Sequence, residues 1–166
     1  MKRYCVDTSG FSNPLETMPE DIYSSLWQAI YDLIEQGVFA VTPEIYDELI
    51  LIDGEISNVI EKCEDDMVLE VNDPTWEWQS YVENSNQMNV DHHDFISEYN
   101  GNLKGTVGLN DISIIALAKT LELPVISMEV LIQTSPKKRR IPNVCKIEDV
   151  THLTFNDFLR AEGISL

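Results

Sequence analysis

At 166 residues the chain has the length of one domain that can bury a substantial core. Its 11 basic residues stand against 29 acidic ones, a net charge of −18, which excludes broad electrostatic binding of DNA or RNA and favours cations and basic partners. No apolar run reaches the roughly 18 residues of a membrane-spanning helix, and the opening MKRYCVDTSG has too short an apolar stretch for a signal peptide, so the cytoplasm is the expected location.

In chain order, RYCVDTS predicts a short strand ending at Asp7. Residues 20–36 place Ile22, Leu26, Ile30, Leu33 and Ile34 on one helical face, with Gly37 as the stop. VFAVT, 38–42, reads as a second strand, and Pro43 opens a helix over 43–60 with Ile45, Leu49, Ile52 and Ile56 as its apolar stripe. MVLEV, 67–71, predicts a third strand. The stretch 74–106 is less regular, with Trp76, Trp78 and Tyr81, a polar run, a helix near 92–100, and Gly101, Gly105 and Gly108 in a flexible connection. A helix over 111–122 follows, capped by Asn110 or Asp111. PVISM, 124–128, is a fourth strand, VCKI after Pro142 begins a fifth, and FNDFLRAEGI closes in a short helix stopped by Gly163. No repeat or linker divides the chain. Strands alternating with helices predict a single α/β domain over 1–166 with a mainly parallel sheet, in which ligands gather at the carboxyl ends of the strands where strand order reverses. The three cysteines, Cys5, Cys63 and Cys145, are scattered and read as reduced thiols, not as a disulfide framework or a zinc site.

Four acids stand where core elements end or at the edge of a buried face. Asp7 ends the first strand; taken alone it reads equally as a turn or cap residue. Glu48 flanks the apolar stripe of its helix, whereas Asp47 faces away. Asp111 opens an almost wholly apolar helix, where an Asp is also favoured by the helix dipole. Glu129 directly follows the fourth strand. Carboxylates brought together raise each other's pKa, and a hard divalent cation removes the conflict. Such a site can activate water and stabilise charge on a phosphodiester.

On these residues the chain resembles the PIN-domain family of metal-dependent nucleases, which includes many toxins of bacterial toxin–antitoxin pairs. Cys5-Val6-Asp7-Thr8-Ser9 is similar to the family's first strand, and Thr42-Pro43-Glu44-Ile45-Tyr46-Asp47-Glu48-Leu49 to its helix after the second strand. Asp111-Ile112-Ser113-Ile114-Ile115-Ala116-Leu117-Ala118 matches its third acidic motif, and Ser127-Met128-Glu129 its fourth. The late run Lys137–Cys145 looks like that of an uncharacterised PIN-like branch. Ser9 stands where Asn is frequent, Ser127 where Thr is, and Glu129 where Asp is, and the longer Glu129 bears on metal geometry.

The resemblance implies a three-layer α/β/α fold with a twisted central sheet, and an endoribonuclease using Mg²⁺ or Mn²⁺ that leaves a 5′-phosphate and a 3′-hydroxyl. Asp7 and Asp111 would be the principal metal ligands. Glu48 and Glu129 would bind directly or through water, or orient the attacking water. Thr8, Ser9 and Ser127 would hydrogen-bond around them. An RNA substrate, an antitoxin partner and a homodimer are the associations this implies.

Other features carry less. Adjacent residues rarely converge on one ion, so Asp91-His92-His93-Asp94 is not expected to be a metal site. Trp76, Trp78 and Tyr81 could stack bases but more readily serve packing. Lys137, Lys138, Arg139 and Arg140 could hold RNA phosphates or form a solvated loop. Two further function classes stand beside the nuclease. One is a catalytically inactive interaction protein whose acidic surface binds a basic partner. The other is a phosphoacceptor regulator, which needs a late-strand lysine that only Lys146 approaches.

Overall fold

Tyr4-Cys5-Val6, all buried, form the strand around which the chain is arranged (β1, Tyr4–Val6). The structure, a computed structural model, describes residues 1–166. Strand β2 (Phe39–Ala40) lies on one edge of β1, with Tyr4 opposite Phe39. Strand β3 (Val125–Ile126) lies on the other, with Val6 opposite Ile126, and β4 (His152–Leu153) flanks β3. The order is β2-β1-β3-β4 and every pairing is parallel. The chain leaves β1 towards one edge and returns to its other side for β3, so strand order reverses between β1 and β3.

Parallel neighbours require crossovers, and helices supply them on both faces, giving the α/β fold expected. Helices α1 (Ser9–Thr17) and α2 (Ser24–Glu35) join β1 to β2. The long passage to β3 holds α3 (Pro43–Leu49), α4 (Glu55–Lys62), α5 (Glu64–Met67), α6 (Trp78–Asp91), α7 (Ser97–Asn100) and α8 (Leu109–Leu121). Helix α9 (Ile141–Ile147) connects β3 to β4, and α10 (Phe155–Ala161) packs against α1. Ile112 to Ala118 of α8 are all buried, because this helix has β1 and β3 on one side and α6, α3 and α9 around it. A helix buried on every side shows no polar face, which is why its sequence is apolar throughout.

Several sequence expectations are corrected. The helix expected over 20–36 begins at Ser24, and Ile22 is exposed in the turn before it. The helix expected over 43–60 is two, broken before Gly54, whose φ of 111° suits glycine. MVLEV is not a strand: Met67 ends α5, and only Val68 bridges to Val41. The helix near 92–100 is a 3₁₀ turn at His93–Phe95 followed by α7. VCKI lies in α9, because Pro142 sits in the first turn, where a missing amide costs nothing. The outer strand is instead His152–Leu153. Helices α1 and α6 are not legible in the sequence. In α1, Gly10, Ser12, Asn13 and Pro14 hide the helix. In α6 only Tyr81 and Met88 are buried, so the apolar period is too sparse to read.

Candidate active site

The switch point between β1 and β3 gathers the acids. Asp7 follows β1 directly; its amide donates to the Ile126 carbonyl at 2.9 Å, so it still belongs to the sheet ladder, and it is 5% exposed. Its Oδ2 accepts from the Ser9 amide at 3.1 Å and the Ser9 hydroxyl at 2.7 Å. Ser9 Oγ in turn accepts from the Met128 amide at 3.1 Å, tying the ends of β1 and β3 together. Asp111 is in the first turn of α8, three residues beyond Gly108, and its Oδ2 accepts from the Gly108 amide at 2.8 Å. It caps the helix from inside the first turn, not from the cap position expected. Oδ1 of each aspartate accepts no hydrogen bond.

Glu48, half-buried on α3, is gripped at both oxygens: Thr8 Oγ1 donates to Oε1 and Asn110 Nδ2 to Oε2, each at 2.6 Å. Asn110 is itself anchored, its carbonyl accepting from Ser113 Oγ at 2.7 Å. Ser113 meets Thr42, the α3 cap, at 3.0 Å. Glu129 accepts from the Ile141 amide at 2.9 Å and from Arg140 Nη1 at 3.3 Å. Ser127 is buried; its hydroxyl accepts from the Glu129 amide at 3.3 Å and bonds His152 Nε2 at 2.7 Å. Burial holds His152 below the usual histidine range.

Asp7 and Asp111 both feel the charges of Glu48 and Glu129. Burial pushes Asp7 up to about 6, against the Ser9 hydrogen bonds that favour its anion, with Glu129 and Glu48 adding repulsion. Asp111 is pushed up to about 8 by burial and then by the Asp7 charge, with smaller repulsion from Glu129 and Glu48. Two buried carboxyls so placed raise each other's pKa, and of the pair Asp111 is pushed the higher.

No group of three or more His, Cys, Asp or Glu side chains is arranged to hold a metal ion. Glu48 and Glu129 each have hydrogen-bond partners at both oxygens, whereas Oδ1 of each aspartate has none. An all-protein cage is therefore not built. A pair of carboxylates, each with one oxygen that accepts no hydrogen bond, suits Mg²⁺ or Mn²⁺, which take one or two carboxylates and complete octahedral coordination with water and substrate oxygens.

The remaining sequence candidates lie elsewhere or are otherwise engaged. Arg139 donates to His92 Nδ1 at 2.8 Å and lies 3.7 Å over the Phe95 ring. His92, fully buried, bonds Glu148 through Nε2 at 2.7 Å, whereas His93 is exposed and stacks on Tyr99, so the 91–94 acids and histidines diverge. Trp76 packs on Tyr81 at the core's edge. Lys137 and Lys138 are exposed and pair with none of the four acids. Asn110, legible in the sequence only as a helix cap, is the polar partner of Glu48 that the sequence did not reveal. An amide next to the third acid was the available signal.

The profile of the family described as "Domain of unknown function (DUF4411)" matches residues 4–166. The chain belongs to the DUF4411 family. No curated protein matches the sequence. Among solved structures, this DUF4411 chain is similar to that titled "Crystal structure of DNA bound VapBC from Salmonella typhimurium", at 17% identity and a TM-score of 0.50, over 93% of this chain and 99% of that one. That likeness supports a PIN-like fold for the DUF4411 chain.

Proposed function

We propose that this protein is a PIN-like, divalent-metal-dependent nuclease of a single domain that hydrolyses RNA phosphodiester bonds. The observation that carries the reading is the buried Asp7–Asp111 pair at the reversal of strand order, with Glu48 and Glu129 held around it. Mg²⁺ or Mn²⁺ between the two aspartates would neutralise them and stabilise charge gathering on the phosphodiester. The chain's own residues do the rest. Ser9 keeps Asp7 aimed through Oδ2, and the α8 amide at Gly108 does the same for Asp111. Glu48, held at both oxygens by short donated hydrogen bonds, would orient the attacking water and receive its proton. Arg140 and the Ile141 amide hold Glu129 at the rim.

The similarity to a VapBC structure supports a toxin role with an antitoxin partner. No helix is long and apolar enough to cross a membrane.

The test is cleavage of labelled single-stranded RNA by the purified protein with Mg²⁺, Mn²⁺ or a chelator. Metal-dependent product with a 5′-phosphate is expected, and Asp111→Asn abolishes it. Absence of cleavage with either ion would leave the inactive interaction protein as the better reading, tested by which basic partner co-purifies.

A further inference from the structure

We infer that the surface leading away from the aspartate pair, past Arg140 to Lys138 and Lys146, is a phosphate track that binds the single-stranded nucleic acid flanking the cut. This rests on the nuclease reading above and assigns the path of its substrate.

Five of the eleven basic residues, Lys137, Lys138, Arg139, Arg140 and Lys146, fall within ten positions of a chain of net charge −18. Their side chains divide into two sets. Arg139 is spent internally on His92 and Phe95, and Arg140 is paired with Glu129. Lys137, Lys138 and Lys146 are exposed and enter none of the seven ion pairs, although carboxylates are abundant. Positive charge left unpaired in a strongly acidic protein is available to an anionic ligand.

Shape adds an independent argument. A groove of about 670 Å³ runs from Ser9, which bonds Asp7, past Glu129 and Arg140. A second, of about 460 Å³, is lined by Lys138, Arg139, Asn143 and Lys146. Leu131, Ile132 and Gln133 line both, so the two lie side by side along one stretch of chain. The Lys138 stem lies against Gly105: a Cβ there would lie 2.7 Å from Lys138 Cδ, and the Arg139 amide donates to the Gly105 carbonyl at 2.9 Å. The lysine therefore leans on the loop that leads into Asp111.

A polyanion meets repulsion over most of this molecule. Along these two grooves it meets apolar walls for sugars and bases, then unpaired ammonium groups for phosphates. Arg140 stands where the acids give way to this basic stretch, and its present partner Glu129 would exchange it for a phosphate oxygen.

The experiment measures binding of single-stranded RNA oligonucleotides by fluorescence anisotropy in chelator, so that cleavage plays no part. A trinucleotide and an oligonucleotide about four times longer are compared across a salt series. Lys138→Ala/Lys146→Ala is expected to weaken the longer oligonucleotide about tenfold and to lower the log–log salt slope by about 0.7 for each phosphate no longer neutralised. The trinucleotide changes little. The charge-matched control Lys2→Ala/Lys62→Ala, on the far flank of the fold, leaves both unchanged. Equal losses in control and test variants, equal losses for both lengths, or no loss at all would overturn the track. Absence of cleavage by the wild type bears on the nuclease reading alone.

Discussion

Asp111 is a group whose environment works against its own ionisation. Its carboxyl is pushed up to about 8 by burial and by Asp7, whereas in the unfolded chain it titrates near the ordinary aspartate value of about 4. Between those two values the folded protein holds a proton that the unfolded one has released, so stability falls as pH rises through that window. Asp111→Asn keeps an oxygen for the Gly108 amide but removes the charge. In chelator, the two proteins are expected to match below about pH 4 and the variant to pull ahead as pH rises towards 8, read as a Tm gap that widens with pH. Mn²⁺ should then stabilise the wild type more than the variant, since a ligand stabilises only the state it binds. Parallel pH profiles of Tm for the two proteins would show that the carboxyl is not strained. Asn110 gives a second test. Asn110→Ala leaves Glu48 Oε2 without its 2.6 Å donor while Thr8 still holds Oε1. Loss of such an orienting partner costs about 10–100-fold in activity or metal affinity, here with little change in Tm. In a Glu48→Gln background the same substitution should cost much less, because the two act as a unit. The acids themselves could be picked out in the sequence, since each stands where a core element begins or ends, or, for Glu48, at the edge of an apolar stripe. Their partners could not: nothing in a one-dimensional pattern shows that Glu48 belongs to Thr8 and Asn110, or Glu129 to Arg140.

At the scale of elements, the site depends on how closely α1 approaches the sheet. A Cβ on Gly10 would lie 2.9 Å from the Ile126 carbonyl oxygen and 3.0 Å from Val6 Cγ2, so only glycine lets α1 sit over β1 and β3. Gly10→Ala must push this helix outward and with it Ser9, which ties Asp7 to Met128. Overpacking of this kind costs about 1–3 kcal/mol. A lowered denaturant midpoint and reduced cleavage are expected together, and an unchanged midpoint would mean that the helix yields freely. The same helix is concealed in the sequence. Gly10, Ser12, Asn13 and Pro14 are poor helix formers, so α1 left no helical pattern to read. VFAVT and PVISM were legible as strands because they are short apolar runs bounded by glycine or proline. His152–Leu153 was not, since an outer strand of two half-buried residues carries no apolar run. MVLEV has the composition of a strand, yet only Val68 reaches Val41, so composition outran geometry there.

Over the whole molecule, the net charge of −18 acts on folding and on binding with opposite sign. Like charges crowded on a compact surface repel more than along an unfolded chain, so the folded protein carries a self-repulsion that salt screens. Raising monovalent salt from about 0.01 M to about 1 M shortens the screening length from about 30 Å to about 3 Å. The Tm of the metal-free protein should therefore rise across that range, measured by circular dichroism at fixed pH. Affinity for single-stranded RNA should fall over the same range, because phosphate binding by lysine and arginine displaces counterions. A protein whose charges were mainly in favourable pairs would lose stability in salt, and five of its seven ion pairs join charges of fixed sign, which pulls in that direction. These pairs are few beside 29 acidic residues, and most involve an exposed side chain of the kind worth about 0–1 kcal/mol, so repulsion is expected to prevail. A Tm that falls with salt would show that local pairing outweighs the net charge. It would also remove the reason for the lysines of 137–146 to be the main landing place for a polyanion.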